Sequence, residues 1–314
     1  MPHAGQNIAL LTYNMLAGGG LRLDAIEAVI RASGADIVGL QEAQRPEVLE
    51  ELAKRLGMHH ALARVPSSWR VAMLSRWPLL ETHVHTGPGL PRSLLEALVA
   101  LPAGGQLRLF VTHLSAAFRQ RRAGEDLRLR ELTGALERMR PAREAGEPHV
   151  LMGDFNSLAP REQLAATMVL RHALAVDTAR RAHKPDMQGH PGVDFILPPI
   201  ARPLRRPLML AARVPALAWL CDRAASAYMP RDVVRRARAA GYTDCYAAWH
   251  PDPRTRAFTC PSSSPAGRID YIFASPTLAP YLECCEVLCD APGRPVTQAS
   301  DHRPVLARFQ LMAR

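Results

Sequence analysis

Eight polar residues bound apolar runs in a pattern that could do chemistry. Asn14 ends IALLTYN, Glu42 ends DIVGLQE, His113 ends LRLFVTH, and Asp154 and Asn156 end HVLMGDFN. Asp270 opens DYIFAS, and Asp301 and His302 immediately precede RPVLARF. Any one of them alone reads as a turn former. Six strand ends that each bear an acid, an amide or an imidazole are hard to reach by turn chemistry. Four of these ends are carboxyl-terminal and two are amino-terminal. In an antiparallel pair the end of one strand lies beside the start of the next, so all six can meet on one edge of a sheet assembly.

Such an edge gathers Glu42, Asp154, Asp270 and Asp301. Carboxylates a few ångströms apart repel strongly in a partly desolvated site, so something positive must neutralise them. The donors are carboxylates and amides with no thiolate, which suits a hard divalent cation. Magnesium is the first expectation, because it takes few carboxylates and fills its remaining positions with water and phosphate oxygen. Asp270 can fix the tautomer and direction of His302, as the acid does in a Ser-His-Asp triad. No GxSxG elbow or other nucleophile motif accompanies the pair. It would act on water or on phosphate oxygen, and the set predicts metal-assisted hydrolysis of a phosphate ester.

The elements that must position these residues are short. NIALLTYN, DIVGLQE, WRVAMLSRWPLL, LLEALVALP, LRLFVTHLS, PHVLMGDFNS, GRIDYIFAS, LECCEVLCD and HRPVLARFQ read as strands. LRLDAIEAVIRASG carries apolar residues at Leu23, Ile26, Val29 and Ile30 and predicts a helix ended by Gly34. RPEVLEELAKRLG has Pro46 at a first helical position and Gly57 just past the end. GEDLRLRELTGALERMR is a third helix. Several strands follow one another without helices, which predicts a mixed sheet system rather than a purely doubly wound one.

The chain has 314 residues, 48% apolar and 22% charged, which excludes collagen-like, disordered and disulfide-scaffold classes. Six cysteines without a CxxC pair argue against a disulfide framework or a zinc ribbon. No signal peptide or membrane span is evident, so a cytoplasmic location with reduced thiols is expected. The net charge of +10 favours polyanionic partners. Much of it sits in residues 196–238, which hold nine arginines against two aspartates and are rich in Pro, Leu and Ala. This stretch is either a surface excursion of Pro-broken helices or a wall that grips nucleic acid or an anionic lipid surface.

At the same residues the sequence resembles the endonuclease/exonuclease/phosphatase superfamily, the deoxyribonuclease I-like fold. The matching segments are TYNM, ADIVGLQEA, VAMLSRWPL, VTHLS, VLMGDFNS, RIDYIFAS and SDHRPVLARF, in the family's order, from residue 8 to 309. The resemblance implies an α/β fold, a four-layer α/β/β/α sandwich of two packed mixed β-sheets flanked by helices. It implies one catalytic domain over residues 1–314, with 196–238 as an Arg/Pro-rich insertion. By similarity Glu42 would be the principal metal ligand, aided by Asn14 and Asp301. Asp154 and Asn156 would position the attacking water and the phosphate, and His113 would contact phosphate oxygen. His302, held by Asp270, would be a general base or a phosphate-stabilising cation, and Arg128 would face phosphate.

The expected activity is a Mg2+-dependent phosphodiesterase, with Mn2+ as a substitute, acting like a nuclease or like a phospholipid or sphingomyelin phosphodiesterase. Ala43 and Gln44 after Glu42 depart from the run typical of abasic-site endonucleases, which lowers the DNA-repair reading. The alternatives are a phosphomonoesterase on a small metabolite or inositol phosphate, or a catalytically dead polyanion-binding module. No obligate protein partner is evident. A metallophosphoesterase built on two metals would need more metal-spaced histidines than the sequence offers near GDFN.

Overall fold

The protein is described by a computed structural model covering residues 6–67, 69–182, 190–196, 203, 207, 210, 213–252, 258–291 and 294–311. Two six-stranded mixed sheets pack face to face, with helices on their outer sides. The first sheet contains β1 (Gln6–Asn14), β2 (Ile37–Gln41), β3 (His59–Leu62), β4 (Val71–Ser75), β11 (Leu282–Val287) and β14 (Val305–Leu311), in the order β11-β14-β1-β2-β4-β3. The second contains β5 (Leu79–Gly87), β6 (Leu90–Ala100), β7 (Gln106–His113), β8 (His149–Asp154), β9 (Thr243–Asp244) and β10 (Asp270–Ala274), in the order β5-β6-β7-β8-β10-β9. A two-stranded ribbon, β12 (Asp290–Ala291) with β13 (Arg294–Pro295), completes the strands.

Strand periodicity explains the layers. Successive residues point to opposite faces, so Leu10, Met73, Val111 and Met152 fill the space between the sheets. Their chain neighbours Leu11, Phe110 and Leu151 face outward into helix-covered cores. Helices α1 (Leu23–Ser33) and α2 (Pro46–Leu56) cover the first sheet through Ile26, Leu49 and Leu52. Helix α3 (Arg121–Arg138) covers the second through Leu132 and Leu136. The predicted stop of α2 is observed: Gly57 has φ 66°, and its N–H donates to the carbonyls of Ala53 and Lys54.

One predicted strand is in fact two. WRVAMLSRWPLL breaks after Ser75, so that β4 belongs to the first sheet and β5 to the second. The Ser75 hydroxyl accepts the Trp77 N–H at 3.1 Å, and Pro78 lacks the N–H that a continuing ladder would use. Three longer helices were not delimited in the sequence: α4 (Ala166–Arg181), α5 (Pro215–Tyr228) and α6 (Asp232–Ala239). Within the arginine-rich stretch, residues 197–202, 204–206, 208–209 and 211–212 lie outside the described residues. Its described parts behave in opposite ways. Helix α6 buries Val233, Val234 and Ala237 against the α3 core, whereas α5 buries no residue. No helix among the described residues is long and apolar enough to cross a membrane.

The register places the strand ends as the sequence pattern requires. β1 and β2 run parallel with Asn14 opposite Gln41, and β7 and β8 run parallel with His113 opposite Asp154. β10 is antiparallel to β8, which sets Asp270 opposite Asp154. β14 is antiparallel to β1, so its start lies beside the end of β1.

A buried histidine links this core to pH. His149 Nδ1 lies 2.7 Å from the Glu147 carbonyl, and Nε2 lies 2.8 Å from the Tyr242 hydroxyl. A neutral ring satisfies both, donating at Nδ1 and accepting the Tyr242 O–H at Nε2. Burial, foremost, lowers its pKa. The unfolded chain therefore takes up a proton near pH 6.5 that the folded chain refuses, and stability falls as pH drops below that value. The melting temperature should decline between pH 6.5 and 5. A His149→Gln variant, which no longer titrates there, should show a shallower decline in the same scan.

Candidate active site

Each candidate side chain is delivered by a strand end and then fixed by its neighbours. Asn14 Nδ2 donates to Glu42 Oε1 and to Asp154 Oδ2, both at 3.2 Å, and so bridges the two sheets. Asn14 Oδ1 accepts the Leu16 N–H at 3.0 Å. Glu42 sits in the left-handed region at φ 58°, and its Oε2 accepts the Ala17 N–H at 2.6 Å. Asn156 is also left-handed at φ 48°. Its N–H donates to Asp154 Oδ1 at 2.9 Å, and its Nδ2 donates to the Leu114 carbonyl at 2.9 Å. Such conformations persist only where surrounding structure over-determines them, and they cluster at functional positions.

Gly153 explains the spacing before Asp154. Its φ is 151°, and a Cβ there would stand 1.9 Å from the Thr112 carbonyl oxygen. Only glycine lets β7 and β8 approach closely enough to set His113 Nε2 at 3.6 Å from Asp154 Oδ2. On the other side His302 Nδ1 lies 2.9 Å from Asp270 Oδ2, while its Nε2 faces Asp154 Oδ2 at 3.8 Å. Ser300 holds the approach to His302: its hydroxyl donates to the Asn14 carbonyl at 2.6 Å and accepts the His302 N–H at 3.1 Å. The eight residues singled out in the sequence thus form one connected cluster.

Burial and charge divide their states. Burial works against charge on His302, but the neighbouring Asp270 carboxylate outweighs it and raises the pKa well above the usual histidine range. His302 is an imidazolium. His113 is pushed well below that range by burial first, then by Arg92 and His302, and is neutral. Burial, reinforced by Asp270, pushes the Asp154 carboxyl up to about 7. Glu42 is raised by burial and then by repulsion from Asp301.

The donors fit a hard dication. Glu42 and Asp301 repel one another, Asp301 is 3% exposed, and its Oδ1 has no hydrogen-bond partner. Such a buried orphan oxygen needs a cation or water. Carboxylate oxygens of Asp154 and Asp270 lie within 4.8 Å of one another, and ligand atoms of Asp301 and Cys260 lie within the same distance of each other. His302, protonated at both nitrogens, is not a ligand. The Cys260 thiol is pushed up to about 11 by burial and is not a thiolate at neutral pH, so oxygen dominates the set.

Sequence reasoning missed four further residues. Arg92, on β6, places its guanidinium 5.1 Å from the Trp69 ring centroid, is electrostatically coupled to Asp154 and Glu42, and has a buried Nη1 without a partner. Arg22 donates to the Met15 and Leu16 carbonyls and lies in the field of Asp301 and Glu42. His190 Nδ1 is 3.9 Å from Asp301 Oδ2, and the His172 ring is 5.6 Å from that of His190. Arg128 is engaged elsewhere than at the cluster: it is buried, with Nη2 on Glu125 at 2.9 Å and Nη1 on the Ser115 carbonyl at 3.1 Å.

Comparisons with known proteins bear on the family and the fold. Residues 11–302 match the Endonuclease/Exonuclease/phosphatase family. The fold is similar to that of an AP endonuclease from Archaeoglobus fulgidus, at 17% identity and a TM-score of 0.61, covering 96% of this chain and 99% of that one. It is similar to an endonuclease/exonuclease/phosphatase from Beutenbergia cavernae, at 20% identity and a TM-score of 0.60, covering 98% and 72%. It is also similar to the 3′ phosphatase NExo from Neisseria bound to product DNA hairpin, at 17% identity and a TM-score of 0.55, covering 96% and 99%. No curated protein matches the chain. With a profile match across nearly its whole length, the chain belongs to the endonuclease/exonuclease/phosphatase family.

Proposed function

We propose that the chain is a divalent-metal-dependent phosphodiesterase that hydrolyses its substrate by in-line attack of water. The observation that carries this reading is the Asp270–His302 ion pair facing Asp154 at 3.8 Å, beside the repelling acids Glu42 and Asp301. Magnesium, or manganese in its place, held by Glu42 and Asp301 with Asn14 beside them, would polarise a phosphoryl oxygen and stabilise the departing oxygen. Asp154, whose carboxyl is made more basic by burial and by Asp270, is suited to take the proton of the attacking water. Asn156 orients that water, and His113 contacts a phosphoryl oxygen. His302 is charged already, so it acts as a phosphate-stabilising cation rather than as the base. The water oxygen forms the new P–O bond as the ester P–O bond on the opposite side breaks; the water's proton passes to Asp154, and the departing oxygen takes a proton from solvent.

Residues 1–314 are read as one catalytic domain, because the first sheet joins strands from both ends of the sequence and packs on the second, which the middle of the sequence forms. The six cysteines are free, which suits the reducing cytoplasm. Nucleic acid and phospholipid are the two phosphodiester classes that the net charge of +10 favours. The test is hydrolysis of bis-(p-nitrophenyl) phosphate. Turnover should require added magnesium, stop with chelator and return with excess metal. A folded protein with no chelator-sensitive turnover would instead be a polyanion-binding module.

A further inference from the structure

A cavity of about 410 Å3 lies between α4 and α5 and reaches Asn156 and Ser157 at the candidate active site. Its walls are mostly apolar, with Leu164, Leu170, Ala225, Met229, Pro230 and Ile269 among them. The polar groups on the walls are largely engaged. Thr167 Oγ1 donates to Asp222 Oδ2 at 3.1 Å, Ser157 Oγ donates to Glu125 Oε1 at 3.4 Å, and Arg128 is paired with Glu125. His172 donates or accepts only through Nδ1, towards Ser263, and leaves Nε2 without a partner at the cavity wall. A nucleobase carries several donors and acceptors on its edge, and burying them here without partners would cost free energy. A hydrocarbon chain carries none.

Helix α5 points to the source of such a chain. Cys221, Ala225 and Tyr228 recur at helical spacing and line the cavity. Away from that side Trp219 and Leu220 are 59% and 53% exposed, and Leu217, one turn before Cys221, is 45% exposed. A surface helix apolar on two sides is out of place in water. The flanking cations suit an anionic surface: the Arg223 guanidinium lies 5.5 Å from the Trp219 ring centroid, and Arg236 on the next helix is exposed. Tyr228, both exposed and part of the cavity lining, marks its mouth. Aromatic and arginine side chains over an apolar face are the composition of a helix that rests in a lipid–water boundary.

We propose that the substrate is a phospholipid phosphodiester whose hydrocarbon chain enters the cavity between α4 and α5 while the outer face of α5 rests on the lipid surface. This assignment rests on the phosphodiesterase reading and adds the substrate class. The phosphate is drawn to the cluster around Asp154, and the chain reaches it through the apolar passage that ends at Asn156.

The test uses alkyl p-nitrophenyl phosphates from methyl to octyl, kept below their aggregation concentration, with the full chain and magnesium. KM should fall about fourfold per methylene until the cavity is filled, the factor expected from burying one such group. Ala225→Trp, which fills the cavity, should flatten that dependence. The wild-type series decides the matter even if this variant fails to fold. A KM independent of chain length, or an oligonucleotide cleaved with higher kcat/KM than the octyl ester, overturns the lipid assignment and leaves the phosphodiesterase reading standing. A second measurement separates the two. With chelator present, the octyl ester should raise the melting temperature more than the methyl ester does. If that difference persists but no ester is hydrolysed with metal, the phosphodiesterase reading fails and the chain-binding cavity remains. Co-sedimentation with phosphatidylglycerol vesicles, reduced in Trp219→Ser/Leu220→Ser, tests the surface; equal sedimentation of both proteins overturns the role of α5.

Discussion

A Glu42→Gln variant is expected to lose at least about two orders of magnitude in magnesium-dependent turnover while still folding cooperatively when metal is chelated, the lost Asn14 Nδ2 contact being offset by the lost buried charge. The amide keeps the shape of the carboxylate and can still accept the Ala17 N–H that holds it at 2.6 Å. What it removes is a charge that burial and Asp301 already disfavour. The folded pKa of Glu42 lies above its unfolded value, so its ionised form weakens the metal-free fold at neutral pH, and substitution relieves that strain. Metal binding has the opposite balance. Ligand that binds only the folded state stabilises it by about 2.7 kcal/mol at a hundred times Kd, so magnesium should raise the wild-type melting temperature and raise that of the variant far less. Melting scans with chelator and with magnesium, run beside the rate assay, check both halves. Equal metal-induced shifts in the two proteins would remove Glu42 from the ligand set.

His302→Ala should lower kcat by about 10²–10⁴. His302 is the imidazolium between two acids, 2.9 Å from Asp270 and 3.8 Å from Asp154. Without it the two carboxyls face each other across the strand pair with no cation between them. Asp270→Asn should be milder, about tenfold to a hundredfold, because an amide can still orient the ring without holding its charge. The ion pair also carries a stability signature. A histidine whose folded pKa is raised stabilises the fold fully below about pH 6.5, and the contribution is lost as pH rises through the raised value. The melting difference between wild type and Asp270→Asn should therefore shrink as the buffer becomes alkaline. A constant difference, or full activity in His302→Ala, would contradict the role given to the pair.

The parts of this site that were legible in the sequence share one property. Asn14, Glu42, His113, Asp154, Asn156, Asp270, Asp301 and His302 each stand where an apolar run begins or ends, so a one-dimensional pattern marks them. Strand direction then brings these positions together, and the observed registers do so. Arg92 had no such mark, because it lies near the start of β6 and reaches the site from a neighbouring strand. His172 belongs to α4, a helix with weak amphipathic character, and its approach to His190 and Asp301 is a product of packing. The split of WRVAMLSRWPLL is unmarked for a related reason: apolar content continues through the break, and only the missing N–H of Pro78 interrupts it.

The first sheet joins β14 directly to β1, and the Ser300 hydroxyl meets the Asn14 carbonyl across 286 positions of sequence. Contacts of such separation form late, since loop closure must be met before they reward the chain. A nascent polypeptide emerging from the ribosome therefore carries Asn14, Glu42, His113 and Asp154 long before it carries Asp301 and His302. Until β14 docks, the cluster around Asp154 lacks its last two members, Asp301 and His302.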